Sequence, residues 1–417
     1  MSFTNTQIAR IISWVIAIAT FSLYVSTLAQ GLILGDPSEY TIVAHLLDIA
    51  HPPGYALMIL YGKLMQTLIP FGTVAWRSQL GNAIMGTVLV IAVYNIVLLL
   101  SRIANFKWAV IPALFSAVCV AWAPNHWQHS IHTNPHLITA GFMIFNVWLL
   151  LKWWENIDLK SHDELPTSDK GISPIDHWPL VTFSLLTGLG AVHHPLTVFS
   201  FPAYTLFILL VYPEILFDWR LLLKMVVSAG AGLALFGYYP FTSATMPEFG
   251  PHTMNTLEGF LDHVLARGLS DSLPYYALAE QPIRAVVYTS ILRLQYGVAG
   301  GLLTLIGALG LWLIPSLTQI RKPAALLWVA FLVNYTFVIT LKQQDIMAYI
   351  QGPNLLAAVF AGIGFGIVTQ WVSTQNFKLN TDWLQWGAAA LLFAIVPVWT
   401  LMATWPYISL RDFEEGD

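Results

Sequence analysis

Residues 35–55 read GDPSEYTIVAHLLDIAHPPGY and bring five ionisable side chains, Asp36, Glu39, His45, Asp48 and His51, directly after an uncharged run from Ile11 to Gly35. A carboxylate here can accept a proton, and histidines can hold or deliver one. Further groups of the same kind recur along the chain. Lys63 and Arg77 follow on the same segment, GAVHHP carries His193 and His194, DHVLARG carries Arg267, and KQQD carries Asp345. One candidate base facing several cations and donors is the set needed to expel a phosphate leaving group at a membrane surface.

Each of these residues also has a plainer use. Asp36 is suited to cap a helix, with Pro37 at its first position and Glu39 closing a capping box, an arrangement worth about 0.5–2 kcal/mol. The following helix is expected to set Ile42, Val43, Leu46 and Leu47 on one face and Thr41, His45 and Asp48 on the other, lying in the interface and ending at the two prolines of HPPGY. Lys63 and Arg77 could equally reach lipid headgroups, and His193 and His194 could be buried helix-end groups. Arg267 sits on a second amphipathic stretch with Leu257, Phe260, Leu261, Val264 and Leu265 apolar, and Asp345 is placed as a helix cap. His126, His129, His132 and His136 are spaced by three and four, which would stack them on a helix as metal ligands. Pro135 breaks that helix and no carboxylate is near, so no metal is expected.

The elements that must position these residues are membrane helices. The 417 residues are 57% hydrophobic and 10% charged, against about 25% charged in soluble domains. Roughly 20 apolar residues cross about 30 Å of hydrocarbon, and runs of such length occur at about 11–34, 78–101, 107–124, 133–152, 178–193, 196–216, 221–241, 296–317, 324–341, 349–371 and 384–405. Unpaired backbone is not tolerated in lipid, so the expected fold is all-α and integral to the membrane, with about eleven transmembrane helices. With a cytoplasmic N-terminus, eleven of the eighteen Lys and Arg fall inside. Residues 35–77, the first outer loop with its interfacial helix, and 242–290 then face outside, as do ten of the twelve histidines, while 155–177 is a solvated cytoplasmic linker. The whole chain, 1–417, reads as one polytopic domain. The net charge of −4 is spread out and points to no nucleic-acid partner. A single cysteine, Cys119, excludes an intramolecular disulfide. P-loop, dinucleotide, G-x-S-x-G and zincin motifs are absent.

GDPSEY, AHPPGYALMILYGKL, IPFGTVAWR and GAVHHP resemble bacterial membrane proteins related to the animal transmembrane protein O-mannosyltransferases, within the C-type glycosyltransferase (GT-C) superfamily. The resemblance is densest over residues 31–105 and continues in LEGFLDHVLARG and QQDIMAYIQGP. It implies a GT-C-like fold, an acidic catalytic residue right after the first span and a polyprenyl-phosphate-linked sugar as donor. Asp36 matches the acidic position with Glu39 beside it, and His193 and His194 match a paired-histidine position. The expected reaction is an inverting transfer of mannose or another hexose to a hydroxyl of a protein or glycan acceptor, on the outer face of the plasma membrane. Asp36 would be the base, with Glu39 and His51 orienting it. Lys63, Arg77, His193, His194 and Arg267 would bind the donor phosphate. No metal or cofactor is expected, and the partners are the lipid-linked sugar, membrane lipids and the acceptor. The alternative is a non-catalytic subunit of a larger membrane assembly. A transporter would call for charged residues at mid-span and paired broken helices, which the sequence does not display.

Overall fold

The computed structural model describes residues 5–159, 177–245, 247–268, 275–342, 346–375 and 381–412. Most of the linker expected at 155–177, with His162, and also Asp345 lie outside the described residues. The helices are α1 (Asn5–Ser26), α2 (Asp36–Leu46), α3 (Ala56–Leu68), α4 (Val74–Ile103), α5 (Val110–Trp122), α6 (Pro124–Ser130), α7 (Pro135–Trp154), α8 (Trp178–His193) and α9 (Phe201–Val211). They continue as α10 (Trp219–Leu233), α11 (Tyr238–Ala244), α12 (Leu257–Val264), α13 (Gln281–Leu313), α14 (Arg321–Ile339), α15 (Ile346–Tyr349), α16 (Gln351–Thr374), α17 (Thr381–Phe393) and α18 (Trp399–Ile408). No strand occurs among the described residues.

Eight helical stretches are long and apolar enough to cross a bilayer, and three shorter apolar helices, Val110–Trp122, Trp178–His193 and Pro195–Val211, coincide with the remaining expected runs. The protein is an integral membrane protein. The stretches built on α4, α7 and α16 are 72%, 83% and 72% buried, whereas the one built on α10 is 11% buried, so the former make the core and the latter faces lipid. α13 and α16 touch backbone to backbone. A Cβ on Gly307 would lie 1.8 Å from the Phe360 carbonyl oxygen, and one on Gly364 would lie 2.0 Å from that of Leu303. Such small-residue contacts are how helices associate closely where lipid supplies no hydrophobic drive between them.

Two expected boundaries move. The first span ends at Ser26 rather than near residue 34, because residues 27–31 are drawn into the fold: the Ala29 N–H donates to the Ile131 carbonyl, Trp127 Nε1 to Thr27 Oγ1 and Gln79 Nε2 to the Gly31 carbonyl. At 278–313 the spanning stretch starts inside the segment expected to be an outer loop.

The two long segments between spans, at about 35–77 and 242–277, position the site. α2 buries Tyr40, Thr41, Val43 and Ala44 and leaves Ile42, Leu46 and Leu47 exposed, which reverses much of the expected face. Tyr40, Val43 and Ala44 pack with Tyr55, Met58 and Ile59, and the aliphatic residues are left to the membrane interface. Asp48, expected on the polar face, is buried. Its carboxylate accepts the N–H groups of Ile49 (2.6 Å), Phe249 (2.8 Å) and Gly250 (3.0 Å), and the Tyr238 hydroxyl donates to its carbonyl (2.8 Å). A buried charge is tolerable only when so satisfied. Here it ties the segment after α1 to the segment after α11.

Candidate active site

The N-cap of α2 is Gly35, at φ 86°, and no side chain caps the helix, so neither Asp36 as cap nor the Asp36/Glu39 capping box forms. Glu39 turns instead to His51, where two donors converge. The His51 backbone N–H donates to Glu39 Oε1 and the ring Nδ1 pairs with Oε2, both at 2.7 Å. On the other side of the ring, Nε2 lies 3.3 Å from the Tyr40 hydroxyl. Asp36 is exposed beside this pair. The oxygens of Asp36 and Glu39 and a ring nitrogen of His51 lie within 4.8 Å of one another. Both carboxylates occupy the first turn of α2, where the helix dipole favours negative charge.

The turn that presents His51 is held from behind by α11 and α12. Gly54, at φ 98°, packs on Tyr239, whose Cε1 would sit 2.6 Å from any Cβ added there, so the HPPGY turn requires glycine on both counts. The Tyr239 hydroxyl accepts the Ala56 N–H at 3.0 Å, and His263 Nε2 lies 3.0 Å from the Ala50 carbonyl. Past His51 the rings close up. Tyr55 stands 5.6 Å from His51 and 5.5 Å from His194, His194 stands 5.2 Å from His136, and His136 stands 4.1 Å from Tyr349, centroid to centroid.

Of these rings, His51, Tyr55, His194 and Tyr349 line a cleft with about 630 Å³ of open space. Leu196, Phe199, Leu265, Phe337 and Leu341 supply apolar lining to the same cleft. At the end of α14, next to Phe337 and Leu341, two cations stand over tyrosine rings: the Arg284 guanidinium 4.1 Å from Tyr276 and Lys342 Nζ 4.3 Å from Tyr275. The N–H groups of Tyr275 and Tyr276 both donate to the Thr340 carbonyl and Arg284 Nε donates to that of Ile339, which fixes this patch to the α14 terminus.

The electrostatics follow from the geometry. Burial opposes the charge on Glu39, but the His51 ring and N–H bonds and the His51 charge outweigh it and hold the carboxyl below its usual range. Burial likewise opposes protonation of His51, yet the bond to Glu39 and the charges of Glu39 and Asp36 raise its pKa above the usual histidine value. His194 goes the other way. Its burial, reinforced by His136, His193 and His51, keeps it neutral well below that value.

Of the residues singled out from sequence, Asp36, Glu39, His51 and His194 come together. His193 stands behind them, buried, with Nε2 2.9 Å from the Pro135 carbonyl. Lys63 and Arg77 do not line the cleft. Lys63 Nζ donates to the His45 carbonyl (2.5 Å), and Arg77 donates to the carbonyls of Gln66, Phe71 and Gly72, so both close off ends of α2 and α3. Arg267 pairs with Asp262 at 2.8 Å in the open, one residue beyond the cleft-lining Ala266. Of the four spaced histidines, His126 lies against the Gly86 carbonyl, His129 lies against that of Asn125 with its ring centroid 5.3 Å from that of His132, and His136 packs on His194 and Tyr349 behind the cleft. Among the described residues, Asp36, Glu39 and His51 are the group placed to share a metal ion, though the His51 nitrogens already face Glu39 and Tyr40. Sequence reading missed Tyr349, Arg284 and Lys342. The signal was the doublet in LPYYAL followed by an arginine two helical turns on, at Arg284, which passes for an aromatic belt.

Residues 36–214 match the family model described as the protein O-mannosyl-transferase TMEM260 N-terminal domain, which bears out the resemblance read from GDPSEY and GAVHHP. The chain is 25% identical over 400 residues to the mouse protein O-mannosyl-transferase TMEM260, covering 89% of this chain and 52% of that protein. It is 25% identical over 351 residues to the Dictyostelium discoideum protein of the same name, covering 79% and 41%. The chain thus spans about half the length of the curated relatives it matches. Among solved structures, the Archaeoglobus fulgidus oligosaccharyltransferase AglB, in complex with an inhibitory peptide and a dolichol-phosphate, superposes over 98% of this chain and 57% of its own, with TM-score 0.56 and 12% identity. ArnT from Cupriavidus metallidurans, bound to undecaprenyl phosphate, superposes over 96% and 74%, with TM-score 0.55 and 13% identity. The chain shares its fold with these two membrane proteins.

Proposed function

We propose that this chain transfers a mannosyl group from a polyprenyl phosphate to a hydroxyl of a protein acceptor, on the outer face of the cell membrane. The observation that carries this reading is the cleft whose lining is part polar (His51, Tyr55, His194, Tyr349) and part apolar (Leu196, Phe199, Phe337, Leu341), beside the exposed carboxylate of Asp36. A prenyl phosphate has that same division. Its head group needs donors and positive charge, and its chain needs Phe199, Phe337 and Leu341. The names of the relatives and the lipid phosphates in the two superposed structures support the donor class.

In this scheme the acceptor oxygen attacks the anomeric carbon from the side opposite the phosphate and passes its proton to the Asp36 carboxylate. The bond between the anomeric carbon and the phosphate oxygen breaks, and the phosphate keeps the electron pair. The protein's task is to steady that anion. His51, whose charged form Glu39 favours, does so from the cleft lining, and Arg284 and Lys342 do so from the α14 end of the cleft in place of Lys63 and Arg77. His194, neutral, serves as a hydrogen-bonding wall for the sugar. No step requires a metal. The test is Asp36→Asn in the purified full chain with a polyprenyl-phosphomannose donor and peptide acceptors. Since Asp36 is not the helix cap, the variant folds with an unchanged melting temperature and loses transfer by at least a hundredfold, within the roughly 10²–10⁴ range for general-base catalysis. Transfer at the wild-type rate would return the chain to a non-catalytic role.

A further inference from the structure

Three helix interruptions meet around one small interior chamber. The path from α5 to α6 leaves helical geometry at Ala123 (ψ 127°), α13 breaks at Gly297 (φ 65°, ψ −179°), and α15 is separated from α16 at Ile350. Residues beside each break line the chamber: Ala123, Asn125 and His126 from the first, Gln295 and Tyr296 from the second, Gln351, Asn354 and Leu355 from the third. Non-helical backbone at membrane depth persists only where it is buried in protein or lines water.

The polar residues Asn125, His126, Gln295, Gln351 and Asn354 are at most 5% exposed, and none has all of its side-chain polar atoms paired. The Asn125 N–H donates to Gln295 Oε1 (2.9 Å), Asn125 Nδ2 donates to the Met347 carbonyl (2.8 Å), and the Tyr296 hydroxyl donates to the Asn354 carbonyl (2.9 Å). Seven atoms have no protein partner: Asn125 Oδ1, His126 Nδ1, Gln295 Nε2, both amide atoms of Gln351 and both of Asn354. Each orphan in a dry interior would cost about 1–3 kcal/mol, too much for a marginally stable fold to leave unmet seven times over. The set mixes acceptors with NH₂ donors and includes no carboxylate, which suits a ligand that both donates and accepts and disfavours a bare cation.

We propose that the chamber is an internal water-binding site. At about three bonds per buried water, seven atoms call for about two molecules. They bridge α6, α13 and α16 and, through the Asn125 bond to Met347, hold α15 in place, with Tyr349 at the cleft floor. The site is independent of the sugar-transfer reading.

The test uses the full chain in nanodiscs. A map of the wild type at a resolution that shows waters should contain ordered density between Asn125, Gln295, Gln351 and Asn354. The double variant Gln351→Leu/Asn354→Leu should lose that density and melt several degrees lower, because the remaining orphans are stranded. An empty chamber in the wild type overturns the proposal, as does a double variant that melts at the same or a higher temperature, since deleting orphaned groups from a dry cavity relieves strain. A wild-type melting temperature that rises with sodium or potassium at constant ionic strength overturns it in favour of a cation. Should the double variant fail to accumulate, Gln351→Met alone and the wild-type map decide.

Discussion

Glu39 and His51 form the one close carboxylate–imidazole pair at the cleft, and their shifts have opposite signs, which sets a pH window. The His51 pKa is raised, so its contribution is fully present below the ordinary 6.5 and fades as pH climbs through the raised value. The Glu39 pKa is lowered, so its contribution is present above the ordinary 4.5 and fades as pH drops through the lowered value. The melting-temperature difference between wild type and Glu39→Gln is therefore largest between those limits and shrinks on both sides. In assays of the same pair, the alkaline limb of the rate profile moves to lower pH in the variant, because His51 loses the partner that keeps it charged. Arg284→Gln should raise the KM for the lipid-linked donor by about tenfold, roughly 1.4 kcal/mol, with Lys342→Gln acting in the same direction. Arg77→Gln should instead lower the melting temperature and leave KM alone, because its donors are spent on carbonyls. Asp36 was legible in the sequence because an acidic residue just after an uncharged span stands out by cost alone. Tyr349 was not, since one tyrosine near a helix start carries no such cost, and Arg284 became meaningful only once α14 brought the Phe337 end of the cleft beside it.

At the level of elements, composition and run length located the spanning helices, because lipid leaves the backbone no other solution. Their ends were less readable. α1 stops early for the sake of tertiary hydrogen bonds to α4 and α6 and the chain between α6 and α7, and the break at Gly297 has no local marker beyond a single glycine. The expected apolar face of α2 failed for a related reason: an interfacial helix has two partners, protein and lipid, and periodicity alone does not say which side takes which. Asp48→Ala tests the joint between the segments after α1 and after α11. It strands the buried N–H groups of Ile49 and Gly250, so the loss should be about 2–3 kcal/mol, read as a lower melting temperature in detergent, with Asp48→Asn intermediate.

For the molecule as a whole, orientation can be read chemically. Cys119 is buried, so cysteines placed at exposed positions report alone. Thr256→Cys should react with an impermeant maleimide from outside intact cells, and Lys107→Cys only after permeabilisation. A reversed pattern would put the cleft in the cytoplasm. Chelation should leave transfer unchanged, and activity lost to EDTA and restored by Mn²⁺ would assign an ion to Asp36, Glu39 and His51. The Asp48 carboxylate and the His263 contact to Ala50 also have a mechanical consequence. They splice two stretches about two hundred residues apart in the chain, so that His51 on one and Leu265 on the other line the same cleft. A load on Leu265 is therefore passed to the histidine turn, and neither can be repositioned without carrying its counterpart along.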